Sequence, residues 1–523
     1  MPAITETPAW KALQAHCEKI AGAHLRDLIS ATPDRRLTIT LEGFYADLSR
    51  NRFDADTLDL LLDLARAAEV ETWRGRMYGG ETINVTENAA VRHVVLRDRN
   101  DGEAPNRLKA FTEEVRGGEI TDVVNLGIGG SYIGPMLATE ALGRIEDTGP
   151  NVHYVANVDG SDLQGRLRHL DPASTLFLVA SKTFTTQETM TNAASARAWV
   201  TTALGGAAVA DHFAALTAVP AAALEFGVSE EHIFEMDDGI GGRFSLWSSV
   251  GLSTAIAIGW DVFEEMHAGA HAMDIHFRDA PLDENLPVIM ALAGIWNVNF
   301  LGIDAQAVLP YDERLRCLPT FLQQLEMESN GKGVTRDGKP VTAATAPVIF
   351  GAVGTNGQHT FHQQLHQGPR ETACDFIAVA EAGHDLPGHH DKLIANMLAQ
   401  AEALALGNSG GNSGGNSGGN SGGSEGDCVP ERRCPGNRPS NTILVKTLDA
   451  RRLGMLIALY EHKIFVQGVI WGINSFDQFG VELGKNLAGR LLPALTDGDS
   501  GAIEDATSRA IAEQYLAWRK GGA

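Results

Sequence analysis

At 523 residues, 44% apolar and 21% charged, the chain is long enough for two α/β domains with large cores. A net charge of −24 argues against a nucleic-acid or anionic-membrane surface, so any anionic ligand must be held by local features. Five cysteines are too few for a disulfide scaffold, MPAITETPAWKAL lacks a signal peptide's basic start and apolar core, and no uninterrupted apolar run reaches membrane-spanning length, so a cytoplasmic protein is expected.

In chain order, residues 8–70 read as helices, with Asp47 to Asp54 as an exposed connection and a helix-like spacing in Leu58, Leu61, Leu62 and Leu64. His93–Arg97 could end a helix or form a short strand. The first clear α/β unit starts at Asp122, where Val123–Leu126 reads as a strand running into Gly127-Ile-Gly-Gly-Ser131 and then a helix. A dinucleotide fingerprint would need its third glycine where Tyr132 stands, which disfavours a nicotinamide-dependent dehydrogenase. The loop reads as either a ligand contact or a tight turn under the sheet. Val152–Ala156 is a second strand and Thr175–Ala180 a third. Ser181-Lys-Thr-Phe-Thr-Thr-Gln-Glu-Thr189 follows, and then an Ala-rich helix from Met190. The hydroxyls of Ser181, Thr183, Thr185, Thr186 and Thr189 thus fall at a strand-to-helix turn. Free N–H groups and the helix dipole favour an anion there, although one such hydroxyl alone would serve as an ordinary cap. His212–Thr217 reads as a fourth strand. Strands alternating with helices predict a doubly wound sheet whose ligand lies beyond the strand carboxyl ends, where both loops sit.

Asp238-Gly-Ile-Gly-Gly-Arg-Phe-Ser-Leu-Trp247 holds a lone Arg243 among glycines and aromatics, suited to an oxyanion or to a surface carboxylate. A second α/β series begins near Ala305–Leu309. Leu318–Lys332 reads as a helix ending at Asn330-Gly331, on which Gln324 and Glu328 share a face. Val348–Phe350 is a strand leading to Gly354-Thr-Asn-Gly-Gln-His359, with His359 at a helix start. Asp375–Ala380 and Asn441–Lys446 are further strands, Asp391–Leu406 a helix, and Ala450–Trp471 a long apolar helix carrying His462 and Lys463. Four Gly-Asn-Ser-Gly units at 407–422 predict a flexible, dispensable coil spanning about 23 Å. Cys428 and Cys434 beyond it make a poor zinc site and read as reduced surface thiols. Another helix opens after Phe476 and carries Lys485, and Ile503–Lys520 closes the chain as an amphipathic helix.

Together GIGGS at 127–131, SKTFTTQET at 181–189, DGIGGRFSLW at 238–247, MESNGK at 327–332, GTNGQH at 354–359 and GVIWGINSFDQFGVELGK at 468–485 resemble the phosphoglucose isomerase family, in its order and over nearly the whole chain. The resemblance implies an α/β fold of two sugar-isomerase (SIS)-type doubly wound domains with parallel-rich sheets and helical extensions at both ends. The domains would be a helical 1–96, α/β units at 97–260 and 261–490, and a C-terminal helical arm at 491–523. It also implies a homodimer with shared active sites, a sugar phosphate as partner, and interconversion of D-glucose 6-phosphate and D-fructose 6-phosphate without metal, cofactor, nucleic acid or membrane. By the same resemblance Gly130, Ser131, Ser181, Thr183 and Thr186 hold the phosphate, with Lys182 beside the sugar. Glu328 is the base between C2 and C1, and Arg243 meets the enediolate. His359 and Lys485 assist ring opening, the histidine coming from the other subunit, and Gln324 and Gln478 line the sugar pocket. Tyr132 stands where the family usually has aspartate, and Gly333 where it has an aromatic residue. A non-catalytic sugar-phosphate regulator on the same domains is the rival reading; it would lack the base.

Overall fold

The computed structural model describes residues 3–31, 37–98, 103–146, 149–408 and 429–520. Most of the expected Gly-Asn-Ser coil, and Cys428 with it, lies outside these residues. The described chain forms two units, one up to Ser475 and one from Phe476.

In the first unit the strands are Thr38–Leu41 (β1), Phe44–Arg50 (β2), Asp122–Gly127 (β3), Asn151–Val155 (β4), Thr175–Ala180 (β5), Phe213–Thr217 (β6) and Ile233–Glu235 (β7). They continue with Ala305–Tyr311 (β8), Val348–Gly351 (β9), Ala373–Val379 (β10) and Ser440–Val445 (β11). One sheet, in the order β4-β3-β5-β6-β7, is parallel throughout. Its inner strands are buried on both faces, as the unbroken Leu-Phe-Leu-Val run of β5 requires. The other runs β1-β2-β11-β10-β8-β9, parallel among β11, β10, β8 and β9.

The N-terminal expectation needs correction: residues 8–70 are not helical throughout, and 1–96 is not a purely helical segment. Helices Pro8–Ile20 and Leu25–Ala31 are followed by the β1–β2 hairpin, which adds two antiparallel strands to the second sheet. The supposed exposed connection from Asp47 overlaps β2, and Asn51 just after it is buried with its amide bonded to Asn441. Residues 93–97 are turns, neither helix nor strand. A short fifth strand, β7, joins the first sheet beyond the four expected.

The core is organised on Ala450–Trp471, a 22-residue helix with almost every position buried. By length and composition it could cross a membrane, yet here it is wholly enclosed by protein. It crosses the helix Trp260–Asp279 at a glycine contact: a Cβ on Gly269 would lie 1.8 Å from the Arg451 carbonyl, and one on Gly454 1.9 Å from that of Met266. Only hydrogen fits at either point. The charges at its centre are paired: Glu461 accepts from the Trp247 indole at 3.0 Å and pairs with Arg97, His462 bonds Asp274 at 2.7 Å, and Lys463 donates to Glu326 at 2.9 Å. Such pairing is the condition for burying charge.

The second unit holds the helices Glu482–Asp497 and Ala506–Lys520, packed through Ala494, Ile503 and Ala512. The expected domain boundary at 490/491 falls inside the first of these helices and does not mark a structural break.

Candidate active site

The register of the parallel sheet places two loops side by side, since Gly127 at the end of β3 pairs with Ala180 at the end of β5. After β3 the backbone turns through Gly129 at φ +59° and enters the helix Gly130–Glu146, so Ser131 stands in its first turn. After β5, Phe184 takes a left-handed φ of 54° and buries its ring, leaving the hydroxyls around it on the loop. Ser181 donates to Thr186 at 3.1 Å, and Thr185 donates to Thr183 at 2.8 Å. Thr186 is the N-cap of Gln187–Leu204 but makes no side-chain cap bond, so it does not occupy the first-turn amides. Hydroxyls and uncapped amides converging on a helix start are the chemistry that holds a phosphate. Lys182 is tied across to the next segment, donating to the Asp238 carbonyl at 2.9 Å.

That segment, leaving the end of β7, coils as a 3-10 turn over Gly242–Trp247 and buries Arg243 to 3% exposure. Its backbone lies against the first loop: a Cβ on Gly130 would sit 1.9 Å from the Gly242 carbonyl and 2.6 Å from the Arg243 nitrogen. The guanidinium is fixed by a donation from Nε to the Ser329 hydroxyl at 2.6 Å and from Nη2 to the Ser475 carbonyl at 2.6 Å. Nη1 meets the Glu328 carboxylate at 3.2 Å. Arg243 is therefore no surface arginine and Glu328 no solvated helix residue.

Glu328 owes its position to a departure from the expected helix. Leu318–Leu322 is α-helical, but Gln323–Glu328 widens into a π-turn. Such turns concentrate at functional sites because they re-aim side chains. Here Gln324 donates to Glu328 at 3.1 Å, and a Cβ on Gly129 would lie 3.1 Å from the same Gln324 amide. Gln324, Glu328, Arg243 and the Gly129–Ser131 loop thus share one place, with Ser181–Thr186 on the adjoining strand end.

Sequence reasoning missed the supports. His93 stacks on Phe244 at 4.6 Å, and Arg97 lies over Trp247 at 4.4 Å, so the 93–97 turn is packed against the Arg243 segment. Burial, aided by the Arg97 charge, holds the His93 imidazole well below its usual pKa. Ser329, Asn330 and Ser475 lie within the quoted motifs without having been singled out. Charges in the middle of the apolar helix at 461–463 were the available signal. Tyr132, where an aspartate was expected, turns toward Tyr154, its phenol raised mainly by burial.

His359 ends a 3-10 turn at Asn356–His359, and the α-helix begins only at His362, so it does not stand at the helix start that was expected. It is exposed and bonds neither Arg243 nor Glu328. Gln478 and Lys485 belong to the second unit, the lysine exposed on the first turn of Glu482–Asp497.

A family model described as phosphoglucose isomerase matches residues 47–511. The chain is 48% identical to a glucose-6-phosphate isomerase of Dechloromonas aromatica, over 96% of this chain and 98% of that one. It is 49% identical to one of Deinococcus deserti, over 98% and 99%. A crystal structure of a glucose-6-phosphate isomerase from Chlamydia trachomatis superposes with a TM-score of 0.84 at 31% identity, covering 99% of this chain and 100% of that one. Fold, motif order and these likenesses agree, and the chain belongs to the phosphoglucose isomerase family.

Proposed function

We propose that this enzyme interconverts D-glucose 6-phosphate and D-fructose 6-phosphate by ring opening and a cis-enediol, with Glu328 carrying the proton between C2 and C1. The observation that carries the reading is the Glu328 carboxylate held 3.2 Å from the buried Arg243 guanidinium, beside two hydroxyl-lined loops at one sheet edge. Moving a proton between neighbouring carbons needs one base able to reach both and to return what it took. The intermediate carries negative charge on oxygen, and a guanidinium already fixed by Ser329 and Ser475 meets that charge without reorganising. Ser131, Ser181, Thr183 and Thr186 hold the distal phosphate with Gly130 and Lys182 around it, and that remote binding orients the reacting carbons. Gln324 and Gln478 line the sugar pocket, and His359 and Lys485 open the ring. A regulator that only binds sugar phosphate is not favoured, because the base and its guanidinium are both present.

We further propose a homodimer in which each site takes His359 from the other subunit; the exposure of His359 on its own chain supports this. A cytoplasmic location is supported by Cys17, Cys317, Cys374 and Cys434 being free thiols. The test of the activity is a coupled assay in which purified protein is given glucose 6-phosphate and fructose 6-phosphate is read out. Formation of the ketose supports the proposal; binding without turnover would favour the regulator.

A further inference from the structure

Behind the pair of Arg243 and Glu328 runs a buried chain of hydrogen bonds that touches no surface. The Ser475 carbonyl accepts from Arg243 Nη2 at 2.6 Å, while the same residue's hydroxyl donates to Asn330 Oδ1 at 2.7 Å. Asn330 Nδ2 donates to Glu326 Oε1 at 3.2 Å and to the Ile464 carbonyl at 3.1 Å. Glu326 in turn accepts from Lys463 at 2.9 Å, both side chains being about 2% exposed. Turned so that its nitrogen faces the carboxylate, the Gln467 amide adds donations at 3.2 and 3.1 Å.

Two features show that this route is shaped rather than incidental. Glu326 and Glu328 stand on the same π-turn, so the buried carboxylate pins the turn that aims the exposed-side one. Gly468 lies where a Cβ would be 1.9 Å from the Ser475 hydroxyl and 3.0 Å from Asn330 Oδ1, so the core helix is recessed to admit the relay. Asn330 is directional: its oxygen is occupied by Ser475 and its nitrogen by Glu326, which fixes both ends at once.

We infer that Ser475, Asn330 and Glu326, anchored on Lys463, are positioning residues that set the guanidinium of Arg243 and the carboxylate of Glu328 at their working separation. They touch neither substrate nor reacting atoms. The inference rests on the isomerase reading of that pair. Because the phosphate loops stand on other elements, loosening the relay lowers kcat far more than it weakens substrate binding, to which Gln324 on the same turn makes a smaller contribution.

The experiment is a kinetic comparison of full-length wild type with Ser475→Ala, Ser475→Cys and Glu326→Gln, using glucose 6-phosphate and a planar hydroxamate mimic of the enediolate bearing the same phosphate. For Ser475→Ala the expected result is a fall in kcat of about tenfold with KM within about twofold, because small misplacements cost rate more than binding. Affinity for the mimic falls in parallel with kcat, melting temperature stays near wild type, and Ser475→Cys, which keeps a weak donor, recovers part of the rate. Glu326→Gln, which preserves shape, gives the same split should Ser475→Ala not fold. Wild-type kcat in a folded Ser475→Ala or Glu326→Gln overturns the inference. So does a loss in which kcat and KM worsen together with melting temperature and cysteine restores nothing. Wild type without turnover contradicts the isomerase reading itself, a result separable from either.

Discussion

At the level of single residues, Arg243 and Glu328 show what a sequence conceals. Each alone has an ordinary explanation, a surface ion pair or a solvated helix face, and no local pattern separates those from a buried pair 85 positions apart. What was legible came from long motifs read together. Of the partners that fix Arg243, the Ser475 carbonyl could not be read because a backbone acceptor leaves no trace in residue type. Arg243 donates from three separate nitrogens of one rigid plane, a spread that the three hydrogens on a single ammonium nitrogen cannot reproduce. Arg243→Lys is therefore expected to lower kcat about a hundredfold, with a much smaller change in KM, in steady-state assays. A kcat within about threefold of wild type would remove the guanidinium's fixed geometry from the account.

Among the elements, parallel strands were the most legible, because a buried run such as Thr175–Ala180 admits no polar residue and ends where the loop begins. The β1–β2 hairpin was missed although its signal is present. Phe44, Ala46 and Leu48 alternate inward along β2, and Glu42 and Gly43 both take positive φ in the two-residue turn. The π-turn at Gln323–Glu328 was illegible in the local sequence, since Lys463, which holds Glu326, lies 137 positions away. Gly130 illustrates how tightly the elements meet. A Gly130→Ala methyl would fall 1.9 Å from the Gly242 carbonyl and must push the Arg243 segment off the first loop. Turnover is expected to drop at least about tenfold, and the affinity for inorganic phosphate to weaken as well, by titration calorimetry. Unchanged values for both would show that this contact is not needed.

For the whole molecule, two predictions concern properties no one element possesses. His93 and His462 are fully enclosed, and burial holds both below the usual imidazole pKa, aided at His93 by the Arg97 charge and opposed at His462 by the Asp274 carboxylate. The unfolded chain takes up these protons near pH 6.5 and the folded chain does not. Stability is thus fully present above that pH and is lost as pH falls from there toward the folded-state values. Asp375, raised by its own burial, acts in the opposite sense, so a His93→Phe variant isolates the imidazole. Melting temperature should fall from pH 7.5 to 5.5, and fall less in that variant; equal slopes would contradict the assignment. Subunit exchange tests the shared site. Glu328→Gln and His359→Gln variants, each inactive alone, should regain about a quarter of wild-type activity when their subunits are mixed, one hybrid site in two being whole. No recovery would mean that His359 serves its own chain.

The base itself can be tested by the fate of the C2 hydrogen. With Glu328→Gln, glucose 6-phosphate in deuterated water should show isomerisation and exchange of the C2 hydrogen both reduced by about a thousandfold or more, while a phosphorylated sugar acid still binds. Exchange continuing at the wild-type rate in that variant would contradict the account, because some other group would then be moving the proton.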